Sequence, residues 1–191
     1  MRNAIILHGG PSKEEYYDPS LPSMSNSYWI PWLQAQLLKH DIPTVTPEVP
    51  WSFDRNWDTW SKELERYDIG PETILIGHST GGGFIVKYLS IHENLKVGKV
   101  VLVAPWLDPD REHTVNFFDD FEVDPTIVSR AAHGIMVFNS SDDQESVQKT
   151  VHILREKVQH IDYREFENYG HFWFDEKKMS KFPELLEEVI G

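Results

Sequence analysis

Residues 73–83 read Thr73-Ile74-Leu75-Ile76-Gly77-His78-Ser79-Thr80-Gly81-Gly82-Gly83, and the rest of the chain is organised around them. Four strand-forming residues run into Gly77-His78-Ser79-Thr80-Gly81, and helical sequence follows at once. This is a G-x-S-x-G pattern in the strand–turn–helix setting that gives it meaning as a nucleophile elbow. So tight a turn holds its serine in a strained backbone conformation and admits only small residues two positions to either side. The hydroxyl of Ser79 is thereby lifted above the sheet, at the positive end of the helix that begins beneath it. The amide of Thr80 then points to where an oxyanion would form. The plain alternative is a glycine-rich turn whose serine caps the helix, and the apolar strand before it argues against that.

Working outward, the neighbouring apolar runs have the same character. Ala4–Leu7, Val100–Ala104 and Gly134–Phe138 are continuous rather than alternating, as expected of parallel strands covered on both faces. A short strand at Thr44–Thr46 is fenced by Pro43, Pro47 and Pro50 and belongs near an edge. The less apolar run His160–Phe166 belongs near the other edge. Helical stripes lie between them: Trp29, Trp32, Gln36 and Leu37; Trp57, Trp60, Leu64 and Tyr67, with Asp54 as a plausible cap; Val147, Val151, Leu154 and Val158; and Phe182, Leu185, Leu186 and Val189. A short helix is expected over Asp124–Ala132. Residues 11–27 read as a long polar loop, and Pro105–Val123 as an irregular acidic and aromatic segment that is a candidate lid. Strands alternating with helices predict a three-layer α/β/α domain spanning 1–191, with a six-stranded parallel sheet in the order 2-1-3-4-5-6. Ligands bind such sheets at the carboxyl edge where the strand order reverses. His8-Gly9-Gly10 and Ser79 flank that point.

Composition bounds the function. The chain has 191 residues, 40% of them hydrophobic, enough for one substantial core. With 18 Lys and Arg against 31 Asp and Glu, its formal charge is −13, which argues against a nucleic-acid partner. The same charge disfavours anionic substrates unless a local patch reverses the field. There is no cysteine, so disulfides, a thiol nucleophile and thiolate metal sites are excluded. No helix carries metal-spaced His and Glu pairs and no G-x-G-x-x-G follows a strand, so no metal or cofactor is expected. No apolar run is long enough for a signal peptide or a membrane span, and a soluble cytoplasmic protein is expected.

A serine hydroxyl needs a base, and the base an orienting carboxylate. After an elbow of this kind the acid and then the base follow in chain order, each in a loop beyond a later strand. Of nine histidines, only His171 lies late in the chain between a strand with a glycine and a helix. His78 should point away from the site. Asp142 and Asp143 both follow the fifth strand, and one of them is expected to cap the next helix; Asp108 is a third choice. For the second oxyanion amide the loop after the first strand suits, and Gly10 is the choice beside Thr80. Aromatics near the predicted mouth (Tyr28, Trp29, Trp106, Phe172, Trp173) suggest an apolar acyl or aromatic pocket. Gly82 and Gly83 exceed what the elbow needs, and each costs ~1 kcal/mol in a helix unless close packing offsets it.

Ile-Leu-His-Gly (6–9), Ser-Tyr-Trp-Ile-Pro-Trp-Leu (27–33), Gly-His-Ser-Thr-Gly (77–81), Ser-Asp-Asp-Gln (141–144) and Gly-His-Phe (170–172) together resemble the small, cap-poor serine hydrolases of the retinoblastoma-binding-protein-nine and YdeN-like family. The resemblance covers nearly the whole chain in order. It implies a minimal α/β-hydrolase core lacking the first two strands of larger enzymes, and Asp143 as the acid of a Ser79–His171–Asp143 triad. The insert after His8-Gly9-Gly10 is longer than the family's usual loop. The expected activity is hydrolysis of an ester or related acyl bond in a small molecule. The competing reading is a protein-interaction module that keeps the fold and does little chemistry, and no feature of the sequence points to a particular protein partner.

Overall fold

The computed structural model of the protein describes residues 1–113, 117–173 and 179–191. In chain order its elements are β1 (Asn3–Leu7), α1 (Lys13–Tyr17), α2 (Ile30–Lys39), β2 (Thr44–Val45), α3 (Trp57–Leu64), β3 (Thr73–His78), α4 (Thr80–Ile91), β4 (Lys99–Val103), β5 (Ile135–Ser140), α5 (Glu145–Lys157), β6 (Asp162–Phe166) and α6 (Pro183–Ile190). The strands form one parallel sheet in the order β2-β1-β3-β4-β5-β6, which is the expected order. The central strands are buried end to end: every residue of β3 is inaccessible, as are the last four of β1 and of β4. The edge strand β6 exposes most of its residues. Apolar side chains from both faces join in a single core.

Helix α4 is buried along eleven of its twelve residues, because strand segments pass it on the sheet side and the segment after β4 crosses it. Its glycines have a steric reason. A Cβ on Gly81 would lie 2.4 Å from the His8 carbonyl oxygen, and one on Gly83 only 1.9 Å from that of Trp106. Real atoms do not approach so closely, so main chain occupies the space a side chain would need, and packing offsets the helical cost of glycine.

Several local expectations are corrected. Residues 11–27 are not uniformly loop: α1 begins at a capping box in which Ser12 Oγ accepts from the Glu15 amide and the Glu15 carboxylate accepts from the Ser12 amide. A 3₁₀ turn follows at Met24–Asn26. Helix α3 is capped by Asn56, whose Oδ1 accepts from the Thr59 amide, not by Asp54. The buried face of α2 is Ile30, Leu33 and Leu37; Trp32 and Gln36 lie only half-buried beside it. Between Asp124 and Ala132 only a 3₁₀ turn forms, at Ile127–Arg130. Of the candidate lid, residues 114–116 lie outside the described residues. No helix among the described residues is long and apolar enough to cross a membrane.

Candidate active site

The turn from β3 into α4 places Ser79 at φ 52°, ψ −120°, outside the regions a non-glycine residue ordinarily adopts and costing about 1–3 kcal/mol. The surroundings over-determine it. The Ser79 amide donates to Val103 O at 2.9 Å, while Ser79 O accepts from the amides of Gly83 and Trp106, both at 3.1 Å. Gly77 permits the turn, since a Cβ there would sit 2.7 Å from the backbone of Gly81 and Gly82. Ser79 therefore stands at the carboxyl edge of the sheet on a fixed pedestal, lining a cleft of about 200 Å³.

Two loops bring His171 and its neighbours to that edge. His171 Nδ1 lies 2.8 and 3.1 Å from the two oxygens of Asp143, and the side chains are 5% and 0% exposed. A carboxylate only accepts, so Nδ1 carries the hydrogen and Nε2 presents its lone pair. Asp143 Oδ1 also accepts from the Gln144 amide at 2.6 Å. Ser79 and His171 line the same cleft. The Ser79 hydroxyl makes no hydrogen bond among the described residues.

The role expected of one aspartate is corrected. Neither Asp142 nor Asp143 caps α5, whose N-cap is Gln144 without a side-chain bond. Asp142 Oδ1 instead accepts from the Ser140 hydroxyl at 2.5 Å and from the Gly170 amide at 3.0 Å. Ser140 Oγ in turn accepts from the Tyr169 amide at 2.9 Å. Asp142 thus ties the loop after β5 to the loop after β6, one residue before His171. Asp108, the third choice, accepts from the amides of Glu112 and His113 through its own two oxygens and orders the segment after β4.

His78 also supports His171. Its Nε2 donates to the His171 carbonyl at 2.8 Å, with ring centroids 5.0 Å apart. Burial, the nearby His171 and, less strongly, His8 hold its pKa down at about 3, so it is a neutral strut. His8 is neutral as well: its pKa is lowered by burial against the opposing pull of Glu48 and the Gly9 carbonyl. Its Nδ1 donates to Gly9 O at 2.6 Å and its Nε2 accepts from the Val49 amide at 3.0 Å, holding the loop after β1. That loop runs against the elbow, where a Cβ on Gly9 would come 3.1 Å from Ser79 Cβ. Gly10 and Thr80 both line the cleft.

The aromatic expectations divide. Trp106 and Trp173 line the cleft, and Trp173 packs edge-on against His171 with centroids 4.6 Å apart. Tyr28 and Trp173 help line an adjoining apolar hollow of about 340 Å³ with Pro11, Leu21, Pro22 and Met24. Trp29 and Phe172 do not reach the cleft. Both are 0% exposed, joined by a hydrogen bond from Trp29 Nε1 to Phe172 O at 3.1 Å, and they belong to the core. Sequence reading missed Arg55 and His113, which line the cleft from segments without periodicity. Among the described residues no group of three His, Asp or Glu is placed to hold a metal ion.

Comparison with known proteins bears on this arrangement. The model of the serine hydrolase family matches residues 19–187. A search of curated protein sequences found no match. Among solved structures, the ydeN gene product of B. subtilis superposes with a TM-score of 0.78 at 20% identity, covering 99% of this chain and 97% of that one. A YdeN-like hydrolase from Pectobacterium atrosepticum gives 0.60 at 17% identity, covering 99% and 89%. Est1E from Butyrivibrio proteoclasticus, solved with ferulic acid bound, gives 0.61 at 13%, covering 100% and 86%. At such identities the structures establish the α/β-hydrolase fold, and the family match over most of the chain establishes that this protein belongs to the serine hydrolase family.

Proposed function

We propose that the protein hydrolyses an ester or related acyl bond of a small molecule through an acyl-enzyme on Ser79. The observation that carries this reading is the Asp143–His171 pair beside the strained serine, which leaves Nε2 free to accept a proton in the cleft that Ser79 lines. His171 Nε2 takes the hydroxyl proton as Ser79 Oγ bonds to the acyl carbon, and the negative charge on the carbonyl oxygen is met by the amides of Thr80 and Gly10. Collapse breaks the bond to the leaving group, which departs with the proton from His171. Water then repeats the steps on the acyl-enzyme, releasing the acid and restoring Ser79. Asp143 holds the tautomer and stabilises the imidazolium throughout. The apolar hollow beside Trp173 supplies room for a hydrocarbon or aromatic portion of the substrate.

The test is labelling by a fluorophosphonate probe together with turnover of p-nitrophenyl esters. Wild type is expected to label and turn over, and Ser79→Ala to do neither, with a loss on the order of 10⁶-fold where turnover is measurable. Full esterase activity in Ser79→Ala would overturn the reading.

A further inference from the structure

The cleft contains a cation that the chemistry above does not use. Arg55 follows the 3₁₀ turn Ser52–Asp54 in a left-handed conformation, φ 46°, and its side chain lines the cleft with Ser79, Thr80 and Gly10. Among the described residues the ion pairs of arginine and lysine are made by Arg66, Lys87, Lys99, Arg130 and Lys149, and Arg55 is in none of them. Its hydrogen bonds are two long ones to main-chain carbonyls, Nη1 to Phe53 O and Nη2 to Gly10 O, both 3.3 Å. Nε is buried and, among the described residues, has no acceptor. A guanidinium carries five N–H groups, so three remain uncommitted.

The setting is costly for such a group. Burial lowers the Arg55 pKa from its ordinary value, and the neighbouring charge of Asp108, whose oxygens accept from the amides of Glu112 and His113, opposes this in part. The guanidinium carbon lies 5.2 Å from the Trp106 ring centroid, which aligns it with the cleft wall. A partly desolvated arginine with no carboxylate in salt-bridge contact among the described residues is unusual in a chain with 31 acidic residues.

Position narrows the ligand. Arg55 Nε and Thr80 Oγ1 are each 3.2 Å from the point a Cβ on Gly10 would occupy, so the cation is separated from the first residue of α4 by no more than the width of a small functional group. We infer that Arg55 is the specificity residue of the cleft and binds a carboxylate carried by the substrate's acyl part, making the preferred substrates hemiesters of short dicarboxylic acids. The inference rests on the hydrolase reading for its reaction, but the anion site itself does not. It also answers the net charge: a protein at −13 repels anions in general, and a planar fork in a small cleft restores affinity for one shape of anion.

The test compares p-nitrophenyl hemiadipate with p-nitrophenyl hexanoate, which differ by carboxylate against methyl at the far end. Wild type is expected to favour the hemiester in kcat/KM, with a preference that shrinks as salt rises. Arg55→Gln should lower the hemiester-to-hexanoate ratio by about 10- to 100-fold, and Arg55→Lys, which keeps charge but not the fork, should fall between. Binding of monomethyl adipate, followed through the fluorescence of Trp106 and Trp173, should weaken at least about tenfold in Arg55→Gln. Arg55→Lys carries both comparisons if the glutamine variant fails to fold. An unchanged ratio and unchanged binding in a folded variant would overturn the inference while leaving the hydrolase reading intact. Loss of monomethyl adipate binding in a protein that neither labels nor turns over ester would sustain the anion site and sink the hydrolase reading.

Discussion

Behind His171, buried from the cleft, the carboxylate of Asp143 accepts from His171 and from the Gln144 amide at 2.6–3.1 Å, while in the cleft lining the guanidinium of Arg55 hydrogen-bonds, among the described residues, two carbonyls at 3.3 Å. Both groups are sheltered, yet the first has short hydrogen-bond partners built in and the second, among the described residues, has only long ones. A satisfied polar group fixes geometry, which proton transfer requires. An unsatisfied one holds interaction energy in reserve for whatever enters, which is what discrimination requires. The wall bearing His171 is not perfect: His78 Nδ1 is buried without a hydrogen-bond partner among the described residues. That atom belongs to a neutral ring, however, and its desolvation is a smaller cost than that of a cation.

The comparison is broken most sharply at Asp143. Asparagine at this position can offer either its carbonyl or its amide to His171, and the tautomer is no longer enforced. Asp143→Asn is expected to fold normally and lose turnover by ~10⁴-fold, the scale set by the same exchange in a serine protease. Steady-state kinetics beside a thermal melt decide it, and a variant with near wild-type kcat would move the orienting role elsewhere.

A smaller effect is expected at Asp142. Its bonds from Ser140 and from Gly170 end on one oxygen, which asparagine retains and alanine does not. Asp142→Asn should keep most activity, whereas Asp142→Ala should lower kcat by roughly 10- to 100-fold through displacement of the His171 loop. A kcat for Asp142→Asn as low as that of Asp143→Asn would show that charge, not loop placement, is what Asp142 contributes.

The smallest effect is read in stability rather than rate. His78 titrates near pH 3 in the folded protein and near 6.5 when unfolded. Below pH 6.5 the unfolded chain therefore takes up a proton that the folded one refuses. The stabilisation is fully present above that pH and is lost progressively as pH falls toward 3, at about tenfold in the folding constant per pH unit. His8, whose pKa is also lowered, adds in the same direction. His78→Gln, whose amide can still donate to His171 O, should show a urea-unfolding constant whose pH slope between 6 and 4 is shallower by about one proton. Equal slopes in variant and wild type would mean that His78 is not held neutral.

The sheet was legible because its determinants are local. Continuous apolar runs at β1, β3 and β4 declare burial on both faces, and the glycine spacing about Ser79 declares the elbow. The unread parts depend on what the sheet brings together. Asp142 and Gly170 lie 28 residues apart, and no periodicity links them. Trp29 and Phe172 carry the same chemistry as Trp106 and Trp173, and only the packing of α2 and α6 decides which pair is interior. Helix α1 buries none of its residues, so it lacks a stripe, although its capping box was written in Ser12 and Glu15. Arg55 follows an isolated turn where sequence gives no face to reason from.

The glycines of α4 also bear on how such a cleft changes. Beneath Ser79 the space next to Gly81 and Gly83 is filled by the carbonyls of His8 and Trp106, so the floor is main chain, which no point substitution can reshape without collision. Divergence in substrate preference therefore has to be written in the rim. A mutagenesis library aimed at new substrates should diversify Arg55, Trp106, His113, Ser146 and Trp173, which line the opening, and hold 77–83 constant.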